Sequence, residues 1–145
     1  MKRFLLDTCV ISDARTNANA GLTEWLAATD ATTLYIAVIS IGEIAWGIER
    51  LPAGRKRSAL EGWLRDDLAR AFAGRILQVD LAVAAAWGRV RAAAERHGNN
   101  ADSLDTLVAA IALHHDLVVV TRNEKVFAGT GVALMNPWSL GKAAR

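Results

Sequence analysis

The stretch Arg3-Phe4-Leu5-Leu6-Asp7 decides how the rest of the chain is read. Three apolar residues in succession, without the polar alternation of a half-solvated strand, describe a short strand covered on both faces, which is how strands of a parallel sheet under helical layers read. Asp7 then closes the run abruptly. A carboxylate placed directly after a buried strand is expensive unless it is paired, hydrated or bound to a cation, so Asp7 is the first candidate for a functional position. The same residues exclude an export signal. Lys2 and Arg3 imitate its basic start, but the apolar run ends after Leu6, and a signal needs about 7–15 uninterrupted apolar positions.

Working outward from Arg3–Leu6, four further runs read as strands: Leu34–Val38, Ile76–Val79, Leu117–Val120 and Val132–Met135. Segments of helical period lie between them. Leu60, Trp63, Leu64 and Leu68 recur at spacings of three and four within a helix expected from Ala53 to Ala73, its apolar stripe lying beneath an Arg-rich outer face. A second long helix starts after Asp80, a favourable N-cap, carries Val83, Trp87, Val90 and Ala94 on one side, and stops at Gly98. Shorter helices are expected over Gly21–Thr29 and Ser40–Arg50, and a strongly apolar one over Ser103–His115. Strands alternating with helices give an α/β fold, with a central, mostly parallel sheet of about five strands flanked by helices.

The chain's 145 residues match one domain on the usual scale of roughly 100–200 residues each. That domain is assigned to residues 1–140, with 141–145 as a loose C-terminal tail; neither a second domain nor a targeting module is expected. Hydrophobic residues make up 52% and charged residues 22%, which excludes a disordered or fibrous chain. Cys9 is the single cysteine, so no internal disulfide and no thiolate zinc site can form within the chain, and a cytoplasmic setting is expected. The longest apolar candidate for a membrane span, Leu107–Leu113, runs into His114, His115 and Asp116, well short of the ~18 residues required. Net charge is only +2, yet residues 50–96 hold ten basic and five acidic side chains while the remainder is acidic. This segregation suits a polyanionic partner, although an Arg-rich helix face also reads as ordinary solvated surface.

Four polar positions fall where strands end or helices begin: Asp7, Glu43, Asp105 and Asn123. Ligands of open α/β sheets bind beyond the carboxyl ends of the strands, so residues far apart in sequence can converge there. Two carboxylates about 6 Å apart repel by on the order of 3 kcal/mol at an effective dielectric near 20, so such a cluster needs protons or cations between its members. Oxygen ligands without His or thiolate favour Mg2+, with Mn2+ as a substitute. One or two such ions would activate water for phosphodiester cleavage.

Plainer readings stand beside this one. Ser40 with Glu43, and Asp102 with Asp105, each have the spacing of a helix capping box. His114 and His115 read as surface residues at a helix end, Cys9 as a small buried filler, and the five tryptophans mostly as core, although an exposed one could stack a base. No phosphate-binding glycine loop, H-E-x-x-H or G-x-S-x-G occurs.

The blocks L-L-D-T-C-V-I-S-D (Leu5–Asp13), I-S-I-G-E-I-A-W-G-I-E-R-L-P (Ile39–Pro52), L-D-T-L-V-A-A-I-A (Leu104–Ala112), V-T-R-N (Val120–Asn123) and G-T-G-V-A-L-M-N-P-W (Gly129–Trp138) occur in order. With them the chain resembles the PIN-domain ribonucleases, in particular VapC-type toxins of type II toxin–antitoxin systems and their FitB-like branch. The resemblance spans about residues 3–138. It implies metal-binding roles for Asp7 and Asp105, with Glu43 completing the site or positioning water. Asn123 takes a fourth position held by Asp or Asn, and Thr8 and Thr121 are supporting residues. It further implies an RNA substrate, a homodimer, and a VapB- or FitA-like antitoxin, the complex assembling on operator DNA. Arg50, Arg55, Lys56 and Arg57 are candidates for RNA phosphates or for an acidic antitoxin. Two departures thin the outer acidic shell: Cys9 stands where the family usually has Asn, and Val126 where it often has Asp.

The expected activity is therefore a Mg2+-dependent endoribonuclease acting as a toxin. The alternative is a catalytically weakened PIN fold serving as an RNA-binding or regulatory subunit. A two-aspartate phosphotransfer domain would need a second Asp where Cys9 stands.

Overall fold

The computed structural model describes residues 1–139, so the proposed tail at 141–145 lies outside the described residues. Strands β1 (Phe4–Leu6), β2 (Leu34–Ala37), β3 (Ile76–Leu77), β4 (Val118–Val120) and β5 (Leu134–Met135) form a sheet of order β3-β2-β1-β4-β5. All four pairings are parallel, and Phe4 stands opposite both Leu34 and Val118. Each expected strand is present and trimmed at its ends.

Because successive side chains of a strand point to opposite faces, the two leucines of β1 serve two different cores. Leu5 joins Ala37, Val119 and the apolar faces of α6 (Leu81–Arg96) and α7 (Ser103–His115). Leu6 joins Ile36 and Val120 on the other side, under α1 (Thr8–Thr16), α2 (Ala20–Ala28) and α3 (Val38–Glu49). The helix expected as one piece over 53–73 is α4 (Arg55–Gly62), a wider π-type turn over Trp63–Leu68, and a short α5 (Ala69–Ala71). The apolar spacing there is compatible with either winding, so periodicity alone does not reveal the wide turn.

Helix α1 has no counterpart in the sequence reading. Its Thr, Val and Ile residues are poor helix formers, and nine residues are too few for a stable helix in isolation. Burial of Val10 and Ile11 and capping by Asp7 hold it instead.

The connections place the functional end. From β1 the chain steps outward through β2 to β3, then returns across the sheet by α6 and α7 to β4 on the other side of β1. The strand order therefore reverses between β1 and β4, and a crevice opens at their carboxyl ends. Asp7 and Thr121 directly follow those two strands. Among the described residues no helix is long and apolar enough to cross a membrane.

After β5 the turn Pro137–Ser139 packs against α2, where a β-carbon added at Gly21 would stand 2.7 Å from the Pro137 carbonyl oxygen. In an open helix Gly→Ala gains up to about 1 kcal/mol. Here Gly21→Ala is expected to destabilise by about 1–2 kcal/mol through overpacking, measured by urea denaturation. Unchanged or increased stability would show that α2 can move away from the turn freely.

Candidate active site

Asp7 joins β1 to α1 with both backbone and side chain. Its N–H donates to the Val120 carbonyl at 2.9 Å, continuing the ladder to β4. One carboxylate oxygen accepts the Thr8 N–H at 2.9 Å and so caps α1; the other accepts the Thr121 hydroxyl at 2.8 Å. Thr121 is itself fully buried and accepts the Asn123 N–H at 3.0 Å, which fixes the chain as it leaves β4. Asp7 is only 8% exposed. Oδ1 thus retains a lone pair beyond its bond to Thr8, while Oδ2 also receives the Cys9 thiol at 3.9 Å.

Thr8 carries this order to α3. Its hydroxyl donates to Glu43 Oε1 at 2.8 Å and lies 2.8 Å from the hydroxyl of fully buried Ser40. The capping-box reading of Ser40 and Glu43 is thereby corrected. Helix α3 starts at Val38 with Ala37 as an N-cap that makes no side-chain bond, so both side chains are free to turn toward α1. At α7 the reading is half right. Asp102 caps the helix by accepting the Leu104 N–H at 2.8 Å, but among the described residues the Asp105 carboxylate makes no hydrogen bond.

Asp7, Thr8, Cys9, Glu43, Asp105, Arg122 and Asn123 line one open basin of about 450 Å³. All four residues singled out at strand and helix ends therefore meet, with Thr8 and Thr121 supporting them from the wall and from beneath. Burial pushes the Asp105 carboxyl up to about 6, and the charges of Asp7, Asp102 and Glu43 add to this. Burial raises Glu43 as well; the Thr8 hydroxyl opposes that shift, while Asp7 and Asp102 reinforce it. The Cys9 thiol, 3.9 Å from both Asp7 and Thr121, is raised mainly by burial, so the neutral thiol is favoured.

The donor set fits a hard divalent cation. Three carboxylates and an amide carbonyl offer oxygen, and the charges of Asp7, Asp102 and Glu43, which add to the effect of burial on Asp105, are ones that a cation would offset. Among the described residues no group of three His, Cys, Asp or Glu side chains is arranged to hold a metal ion by itself. Mg2+ usually keeps several waters and takes only one or two carboxylates, so it does not need three protein ligands.

The basic cluster lies elsewhere. Arg50, Arg55, Lys56 and Arg57 do not line the basin. The Arg57 guanidinium is already engaged by Glu49, Glu61 and the Leu51 carbonyl, while Arg50 stacks over Trp46 at 4.6 Å. Arg122 is the cation that the sequence reading missed, hidden in V-T-R-N between two residues already chosen. Val126 packs toward the α7 side of the core rather than into the basin, so the second departure does not touch the lining.

A family model described as PIN domain matches residues 4–132. Toxin FitB of Neisseria gonorrhoeae is 36% identical over 136 residues, which is 93% of this chain and 98% of that protein. VapC ribonuclease Y4jK of Sinorhizobium fredii is 31% identical over 136 residues, covering 93% of this chain and 97% of that one. Among solved structures, that of FitAcB from Neisseria gonorrhoeae superimposes with a TM-score of 0.88 at 36% identity, over 94% of this chain and 99% of that one.

The raised carboxyls set a pH dependence of stability. The folded pKa of Asp105 is above its unfolded value, so the folded state binds the proton more tightly and stability falls as pH rises from about 4 through about 6. In metal-free buffer the wild-type melting temperature should be lower at pH 7 than at pH 5. After discounting for partial exposure, Asp105→Asn should remove about 1–2 kcal/mol of that dependence. Identical pH profiles for the two proteins would show that Asp105 feels no such crowding.

Proposed function

The chain belongs to the PIN-domain family, and from its site we propose that it is a metal-dependent endoribonuclease serving as the toxin of a type II toxin–antitoxin pair. The observation that carries this reading is the convergence of Asp7, Glu43 and Asp105 from three separate elements on one basin at the sheet's reversal point. Crowding carboxylates in this way costs stability, and an RNA-cleaving metal site is the use that the family offers for it.

Asp7, Asp105 and Glu43 would hold Mg2+, or Mn2+ in its place. When bound, the ion would supply Lewis acidity toward the phosphodiester and lower the pKa of a water. The protein's own part is preorganisation. Thr8 and Thr121 fix the Asp7 carboxylate from two sides at the wall of the basin. The Thr8 hydroxyl holds Glu43 at 2.8 Å, where it would complete the site or position a water. Asn123 contributes a carbonyl acceptor without adding a fourth negative charge.

The toxin assignment is supported by the names of the relatives at 36% and 31% identity, a FitB toxin and a VapC ribonuclease. By the same resemblance the partners are a VapB- or FitA-like antitoxin, a second copy of the chain, and operator DNA bound through the antitoxin. Exposed Trp46 and Leu104, flanking Glu43 on the rim, give such a partner apolar surface to cover. The weakened-enzyme alternative has one observation in its favour: a neutral Cys9 thiol in the basin where the family usually places an amide.

Incubation of structured RNA with the purified protein tests the reading. Cleavage should require Mg2+, cease in EDTA, and fall by at least about a hundredfold in Asp7→Ala and Asp105→Asn, the scale for losing one positioned group. Cleavage that survives EDTA or either substitution sinks the mechanism. Expression without antitoxin should arrest growth; normal growth would favour the weakened-enzyme alternative.

A further inference from the structure

We propose that Arg122 binds a backbone phosphate of the RNA at the mouth of the acidic basin, making it a substrate-binding residue of this site. The inference rests on the ribonuclease reading above and adds a specific phosphate contact to it. A basin walled by Asp7, Glu43 and Asp105 repels a polyanion, and Arg122 is the single cation among its lining side chains.

An arginine beside three carboxylates would ordinarily pair with one of them and be consumed. Among the described residues Arg122 makes no such pair. Its Nη1 donates instead to Asp13 Oδ2 at 3.2 Å, a carboxylate on α1 outside the basin lining, and its guanidinium stacks over the Trp138 ring at 5.5 Å. Asp13 takes one of five guanidinium N–H donors, and the side chain is 57% exposed. The ion pair and the ring thus hold a planar fork in place while most of its donors remain available, the form in which arginine recognises phosphate.

The basic segment contributes no residue to the basin lining, and three of its arginines are engaged by acidic neighbours. Arg57 is paired with Glu49 and Glu61, Arg65 with Asp66, and Arg91 with Glu95. A guanidinium with unspent donors on the basin itself marks a phosphate position at the site more directly than a segment that contributes nothing to the lining.

The test measures binding of a short fluorescein-labelled oligouridylate by anisotropy in Mg2+, on an Asp7→Asn background to prevent cleavage. Arg122→Gln should weaken binding about tenfold, the loss of one charge-assisted contact. It should also reduce the slope of log affinity against log salt by about 0.7, one single-strand phosphate. Arg122→Lys should keep the slope and recover part of the affinity, because it retains the charge but not the fork. Arg65→Gln, which removes the same charge away from the basin, should change neither quantity. If Arg122 only ties α1 to the segment after β4, Arg122→Gln will lower the melting temperature and leave affinity and slope unchanged, which overturns the proposal. An equal loss in Arg65→Gln overturns it too, by reducing the effect to net charge. Cleavage by the protein with Asp7 intact is followed in parallel. Its absence would count against the ribonuclease reading, whereas cleavage with an unchanged KM in Arg122→Gln would count against the phosphate contact alone.

Discussion

The buried carboxylate of Asp7 organises this molecule. It sits where the two central strands end, and its three attachments, to Val120 through the backbone and to Thr8 and Thr121 through the side chain, tie β1, β4 and α1 into one corner. A charge this enclosed survives only when its hydrogen bonds are supplied by groups that cannot drift. The short helix after it, the threonine beneath it and the parallel pairing beside it are thus parts of one arrangement. The same bonds that make the carboxylate tolerable in the fold also fix its position on the basin wall.

Much of this was legible before any coordinates, for a physical reason. Leu5 and Leu6 must both be buried for a strand to read as an unbroken apolar run, so the parallel sheet followed from Arg3–Asp7, and the places where polar residues interrupt strand and helix ends marked the site. Helix α1 was illegible because its stability is not local: Thr8, Cys9, Val10 and Ile11 disfavour a helix, and tertiary burial overrides them. The capping-box spacing of Ser40 and Glu43 left a plainer reading open for the complementary reason. Sequence spacing shows what two side chains can do for their own helix, but not that a threonine from another element stands within 2.8 Å of both.

Arginine illustrates a similar limit. Counting charges located a basic segment correctly, yet the value of a cation depends on what already holds it. The pairing of Arg57 with Glu61 one turn along α4 could have been anticipated from spacing, while Glu49 reaches it across the turn from α3. The pairing of Arg122 with Asp13 joins residues 109 positions apart and follows only from the fold.

The sheet itself has one further consequence. Its two edge strands, β3 and β5, are each two residues long, too short to offer a row of unpaired backbone groups on which another chain could extend the sheet. Among the described residues both margins are thus blunted against association by strand addition. Any stable assembly must instead recognise helix faces and side chains, where specificity can be written residue by residue, and the protein is spared the indiscriminate edge-to-edge stacking that threatens sheets with longer open borders.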